Sequence, residues 1–247
     1  MNLLIDIGNS RIKWIFSNNL EDGCISASEY RTSNIRAVLE DKFSNIGVIE
    51  NIYVSNVAGC EIELNVFQWF VDTLGIEPQF ARSTRSISGL VNRYVNPNLL
   101  GVDRMLAMLG AKKSEFPFVV ADCGTAVTID CVTQHGEFIG GIIVPGVMAM
   151  KSVLEAQTNQ LNNVEVDDVV TPFQKETASA IHSGCVLAIA KTIENSVAEF
   201  RSLSHSNVDC FVTGGDGAYI KDYLNIDVKF QDDLVLRGLK NYFQAVQ

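Results

Sequence analysis

The chain has 247 residues, 29 acidic against 19 basic side chains and a net charge of −10, with 47% hydrophobic and 19% charged residues. This is a globular composition, enough for one large domain or two of about 100–150 residues, so disordered, collagen-like and coiled-coil chains are excluded. The acidic balance argues against nucleic acid or an anionic membrane as a partner, because phosphate backbones are held by clustered Lys and Arg, whereas a single nucleotide can be gripped by backbone N–H groups and cations.

In chain order, strands are expected at 2–7, 11–17 and 24–31, a helix at 35–43, a strand at 52–55, and helices at 62–74 and 99–113. The second half repeats the theme with strands at 118–122, 127–133 and 137–143, and helices at 146–155 and 175–200. A strand at 209–213, a helix at 218–224, a strand at 227–230 and a helix at 234–245 complete it. The long helix rests on Ile181, Cys185, Ile189, Ile193, Val197 and Phe200, which recur at helical spacing after Pro172. The order β-β-β-α-β-α-β in each half predicts two α/β halves facing a cleft, divided as 1–114 and 115–247, the second with a helical insertion.

The segment Met1 to Asp6 has no basic n-region, and the longest apolar run, Ile142 to Met150, is interrupted by Pro145 and Gly146. Neither a secretory signal nor a membrane span is expected, and the expected location is the cytoplasm. Cysteines at 24, 60, 123, 131, 185 and 210 have no C-x-x-C spacing, so buried thiols in a reducing compartment are expected rather than a zinc site.

An imperfect duplication organises the motifs. Asp6-Ile7-Gly8-Asn9-Ser10 matches Asp122-Cys123-Gly124-Thr125-Ala126, each between two strand-like runs. Tyr53-Val54-Ser55-Asn56-Val57-Ala58-Gly59 similarly resembles Phe211-Val212-Thr213-Gly214-Gly215-Asp216-Gly217. The second half must then hold about 40 extra residues between hairpin and strand, which Met148 to Phe200 can supply. A D-x-G turn suits a polyphosphate: Gly allows close backbone approach, small polar side chains add donors, and the Asp can hold a bridging cation. Two such turns can grip one polyphosphate from both sides. Lys13 closes the first hairpin, where a cation can meet phosphate.

The chain contains neither G-x-x-x-x-G-K-[ST] nor G-x-G-x-x-G, which lowers P-loop and Rossmann readings. Gly214 and Gly215 can let a ring or sugar approach the backbone, while Gly140 to Gly146 reads as structural. Asp103 and Arg104 open an otherwise apolar helix; they fit dipole compensation, or a base beside an anion clamp. His135, His182 and His205 are isolated, Trp14 and Trp69 read as core, and most of the cluster Arg82, Arg85, Arg93 and Arg104 reads as solvated.

Taken together, Asp6 to Ser10, Gly101-Val102-Asp103-Arg104, Asp122 to Ala126, Gly140 to Gly146 and Thr213-Gly214-Gly215 resemble the ordered motif set of type III pantothenate kinases. These kinases belong to the acetate and sugar kinase/actin-like superfamily of duplicated ribonuclease-H-like halves, each a mixed sheet flanked by helices. The resemblance implies ATP-dependent phosphorylation of pantothenate, with magnesium and a potassium or ammonium ion. It assigns Asp6, Ile7, Gly8, Asn9, Ser10, Arg11, Ile12 and Lys13 to the ATP phosphates and magnesium. It makes Asp103 the proton acceptor, with Tyr94, Gly101, Val102, Arg104 and Thr177 on pantothenate, Thr177 from a partner subunit. Asp122 would hold the monovalent cation, and Thr125, Gly214 and Gly215 would contact ATP. The family is dimeric, with the 175–200 helix as candidate interface. Ser10 stands where Thr is common and keeps the hydroxyl.

Three rivals stand beside this reading. They are another small-molecule kinase of the superfamily, a non-catalytic nucleotide-binding regulator, and a phosphatase that needs no acceptor.

Overall fold

A computed structural model describes residues 1–16, 25–30, 35–112, 117–157 and 169–246. Cys24, both ends of the strand expected at 24–31, and part of the expected insertion lie outside the described residues. The chain divides into two compact units, Met1–Lys113 with Asp233–Gln247, and Ser114–Asp232.

The first unit opens with β1 (Asn2–Ile7), β2 (Arg11–Phe16) and β3 (Ser26–Glu29), followed by α1 (Ile35–Phe43), β4 (Asn51–Asn56), α2 (Cys60–Leu74) and β5 (Gln79–Phe80). Its sheet runs β3-β2-β1-β4-β5, with β1 antiparallel to β2 and parallel to β4. A small antiparallel pair, β6 (Ser86–Ile87) and β7 (Leu90–Asn92), precedes α3 (Val102–Ala111). Strands β5 to β7 were not expected from sequence: two or three residues carry too little alternation to register.

Alternation along β1 sorts the side chains. Leu3, Ile5 and Ile7 join a core with Val38, Phe43, Val66 and Phe70 of α1 and α2. Leu4 and Asp6 therefore share the opposite face, and the register puts Tyr53 and Ser55 of β4 beside them. On β2, Ile12 and Trp14 belong to the α1/α2 core, so Lys13 also takes the opposite face, directly across from Asp6.

The second unit contains β8 (Phe118–Cys123), β9 (Ala126–Val132), β10 (Glu137–Pro145), α4 (Val147–Gln157), α5 (Thr177–Ser204), β11 (Asp209–Thr213), α6 (Gly217–Ile220) and β12 (Lys229–Phe230). Its strands run β10-β9-β8-β11-β12, the order and directions of β3-β2-β1-β4-β5 in the first unit. The duplication read from two short motifs is thus a duplication of topology. Cys185, Ile189, Ile193, Val197 and Phe200 of α5 are buried against Val119, Ala121, Cys123 and Val212. Gly140 has φ 143 beside a bulge in the β9–β10 register, which accounts for the first of the paired glycines.

The last helix departs from the expected division. α7 (Leu234–Val246) packs within the first unit, not the second. A Cβ at Gly110 would overlap the Leu234 backbone, and one at Gly238 the Leu106 backbone, so the two helix backbones cross in near contact. Phe243 stacks on Tyr53 with ring centroids 4.1 Å apart, and Asn241 Nδ2 donates to the Leu109 carbonyl at 3.1 Å. These contacts fix α3, and with it Asp103, over the Asp6 face of the first sheet.

Candidate active site

Asp6 ends the polar continuation of an apolar strand face. Its Oδ1 is buried and has no hydrogen-bond partner among the described residues. Burial pushes the Asp6 carboxyl up to about 6; the Lys13 ammonium opposes the shift, and the Asp103 carboxylate adds to it. Ile7 and Ile12 are buried on either side of the turn, and Asn9 is exposed at its tip. The turn Gly8–Arg11 is closed by the Gly8 N–H donating to the Arg11 carbonyl at 3.0 Å. Arg11 itself is drawn to Glu29 on β3, at 2.9 Å.

Asp103 is in the first turn of α3, after Gly101 at the N-cap. Burial also raises its carboxyl above the usual range, although the Arg104 N–H donates to Oδ1 at 2.7 Å. A Cβ at Gly101 would stand 2.5 Å from that Oδ1, so glycine is what leaves room beside the carboxylate. Val102 is buried.

Arg104 is 5% exposed; its Nη1 donates to the Tyr94 hydroxyl at 2.9 Å, and the guanidinium lies 5.7 Å from the Tyr94 ring centroid. The Tyr94 loop is itself held. Arg85 Nη1 donates to the carbonyls of Asn92 and Tyr94, both at 2.9 Å, and buried Asn92 donates to those of Thr84 and Pro97. The expectation that most of this Arg cluster is solvated holds for Arg82, Arg85 and Arg93, which are exposed, while Arg104 is the buried exception. Arg85 and Arg104 build the Tyr94 wall, and Arg82 pairs with Glu63 at 2.8 Å.

In the second unit, Asp122 faces away from the α5 core, across from Thr128 on β9 and beside Thr213 on β11. Gly214, at φ 91, turns the chain against Asp122 Oδ1 and the Cys123 carbonyl, which leaves no room for a side chain. Asp216 N–H donates to that carbonyl at 2.9 Å, while Gly215 is exposed. Thr125 is exposed in the turn, and its carbonyl accepts from the Gly146 N–H at 3.0 Å. Thr177 is exposed at the first residue of α5 and takes part in none of the hydrogen bonds that shape the Asp122 turn.

The first unit thus gathers Asp6, Lys13, Tyr94, Gly101, Asp103 and Arg104. The second gathers Asp122, Thr125, Gly214 and Gly215. Sequence reasoning missed Tyr30, whose hydroxyl donates to the Gly8 carbonyl, and the pair Ser55/Thr213, each beside the Asp of its turn. Ser55 and Thr213 were visible as the matching hydroxyl of the second internal repeat. Tyr30 belongs to no motif.

A family model for type III pantothenate kinases matches residues 2–199. The chain belongs to that family. The type III pantothenate kinase of Janthinobacterium sp. (strain Marseille) is 38% identical over 256 residues, covering 97% of this chain and 96% of the relative. That of Herminiimonas arsenicoxydans is 38% identical over 248 residues, with the same two coverages of 97% and 96%.

Among solved structures, a conserved protein of Campylobacter jejuni assigned to a Baf family of transcriptional activators superposes with a TM-score of 0.65 at 21% identity, covering 98% of this chain and 97% of that one. MreB5 of Spiroplasma citri, solved with ADP, gives 0.52 at 11% identity, covering 98% and 96%. These likenesses establish the fold: α/β, with two mixed sheets flanked by helices, of the actin-like ATPase and sugar kinase kind.

Proposed function

We propose that the chain transfers the γ-phosphoryl group of ATP to the primary hydroxyl of pantothenate, giving 4′-phosphopantothenate, the first step toward coenzyme A. Family membership supports the reaction. The observation that carries the site is the approach of two half-buried carboxylates, Asp6 and Asp103, on one face of the first sheet, where the Asp103 charge acts on Asp6.

Phosphoryl transfer is mostly positioning and charge neutralisation. The turn from Asp6 to Lys13 would hold the ATP phosphates, with the Lys13 ammonium as a fixed positive charge. Asp103 would accept the hydroxyl proton. An ordinary carboxylate near pKa 4 is a weak base for an alcohol, but burial lifts Asp103 above that range. In a loose transition state the proton leaves late, so an acceptor within hydrogen-bond reach suffices. Tyr94, Gly101, Val102 and Arg104 would shape the pantothenate side, with Thr177 contributed by a partner subunit. Thr125, Gly214 and Gly215 would contact ATP.

Magnesium binds through one or two carboxylates plus substrate phosphates, and the unpartnered Asp6 Oδ1 fits that donor set. When bound, it would neutralise charge on the phosphate oxygens. Asp122 would hold potassium or ammonium; its carboxylate and the Cys123 carbonyl converge at Gly214 as hard oxygen donors.

A homodimer in the cytoplasm, with no nucleic acid bound, completes the proposal. Because α5 spends its apolar stripe on its own unit, exposed Ile143 on β10 and Met148 and Val153 on α4 are better interface candidates than the long helix.

The test is a coupled ADP-release assay with and without pantothenate and potassium. Release is expected only with both. Release on another alcohol alone would favour a different kinase of the superfamily, release without acceptor a phosphatase, and no release a regulator. Full activity in sodium alone would remove the cation from Asp122.

A further inference from the structure

Tyr30 stands just past β3, opposite Ser10 in the continuing β2–β3 register. It bonds the first turn twice. Its backbone N–H donates to the Ser10 carbonyl at 3.4 Å, and its hydroxyl donates to the Gly8 carbonyl. The ring is buried, and both burial and the Asp6 carboxylate raise its hydroxyl above the usual tyrosine range, so it stays a proton donor at neutral pH.

In a trans peptide the C=O and the following N–H point in opposite directions within one plane. A hydroxyl that holds the Gly8 carbonyl therefore also aims the Asn9 N–H away from the Tyr30 hydroxyl, and Asn9 itself is exposed. The Ser10 carbonyl fixes the Arg11 N–H in the same way.

The second unit shows what this position does without a side chain. Gly146 is the counterpart of Tyr30, since its N–H donates to the Thr125 carbonyl as that of Tyr30 donates to Ser10. A Cβ at Gly146 would overlap the Gly124 carbonyl. There the turn closes on a bare backbone; in the first unit a phenol fills the space and grips the carbonyl.

We infer that Tyr30 is a positioning residue for nucleotide binding: its hydroxyl orients the Gly8–Asn9 peptide so that the Asn9 N–H meets a phosphate oxygen. The inference rests on reading Gly8 to Arg11 as the phosphate turn.

Tyr30→Phe removes one oxygen and keeps the ring. It is expected to raise KM for ATP about fivefold, the worth of one ordinary hydrogen bond, while KM for pantothenate stays within about twofold. Calorimetric titration with Mg-ATP, without pantothenate, is expected to show the same loss of affinity. Unchanged ATP affinity, or equal rises in both KM values, would overturn the inference.

If the wild type releases no pantothenate-dependent ADP, the kinase reading fails, yet the titration still decides. Weaker Mg-ATP binding by the variant upholds the role of Tyr30, and equal binding or none by either protein overturns it. Should the variant melt more than about 5 °C below the wild type, the rise in Tm on adding Mg-ATP is compared instead, and equal rises overturn the inference.

Discussion

Four residues, Gly8 to Arg11, separate the last paired residues of β1 and β2, whereas three, Gly124 to Ala126, separate those of β8 and β9. Counting back from the second strand of each hairpin, Ser10 corresponds to Thr125, and Asn9 is the additional residue. The motif alignment that pairs Asn9 with Thr125 is therefore shifted by one. The same count puts Lys13 opposite Asp6 but Thr128 opposite Asp122. One turn combines an acid with a lysine and with a second acid from α3; the other sets its acid between two hydroxyl residues, Thr128 and Thr213. The physical lesson is that duplicated backbones can diverge in chemistry by one inserted residue. An ammonium beside a carboxylate suits phosphate and its metal, while a carboxylate among neutral oxygens suits a weakly held monovalent cation.

The largest expected effect tests whether chemistry belongs to the first unit. Asp103→Asn should keep the fold and Mg-ATP binding, read by circular dichroism and titration, and lose about 10²-fold or more in kcat. Near-normal turnover would remove Asp103 as the proton acceptor. A smaller effect separates the two turns directly. Lys13→Met should raise KM for ATP about tenfold, the loss of one charged hydrogen bond, while its counterpart Thr128→Val should leave it within about twofold. Equal responses of the two variants would break the distinction drawn between the turns.

Much of this was legible in sequence, for identifiable reasons. The strands of the two hairpins are long enough to alternate, and D-x-G and G-V-D-R put rare residue types at turns and helix starts. Asp6, Asp103 and Asp122 could be picked out on that basis. The parts that were not legible depend on contacts between distant segments. Tyr30 reaches back 22 residues to Gly8. Arg104 looks like a surface charge until the Tyr94 hydroxyl that receives it is known, and nothing in the sequence ties exposed Arg85 to the carbonyls that it holds. α7 has the pattern of any amphipathic helix, and only its glycine-mediated crossing with α3 assigns it to the first unit. The one-residue difference between the turns needed the strand register.

The smallest expected effect is on stability, and it separates a strained acid from an ordinary ion pair. An unfolded chain releases the Asp6 proton near pH 4, an ordinary value of about 3.9 for aspartate. The folded protein holds it to about 6. Between those values the folded state binds more protons than the unfolded one, so the contribution of Asp6 to stability falls as pH rises through the window and is flat above it. The ligand-free protein then carries a buried carboxylate at a cost of about 1–3 kcal/mol, which magnesium or a protonated neighbour would relieve. Asp6→Asn keeps the shape and removes the charge. It should melt several degrees above the wild type at about pH 8 and converge with it toward about pH 4, at roughly 2–4 °C per kcal/mol for a chain of this size. Mg-ATP should raise Tm for the wild type and much less for the variant. A variant that melts below the wild type at the higher pH would mean that Lys13 already satisfies Asp6, making the pair a structural salt bridge and leaving the first turn no better prepared for a metal than the second.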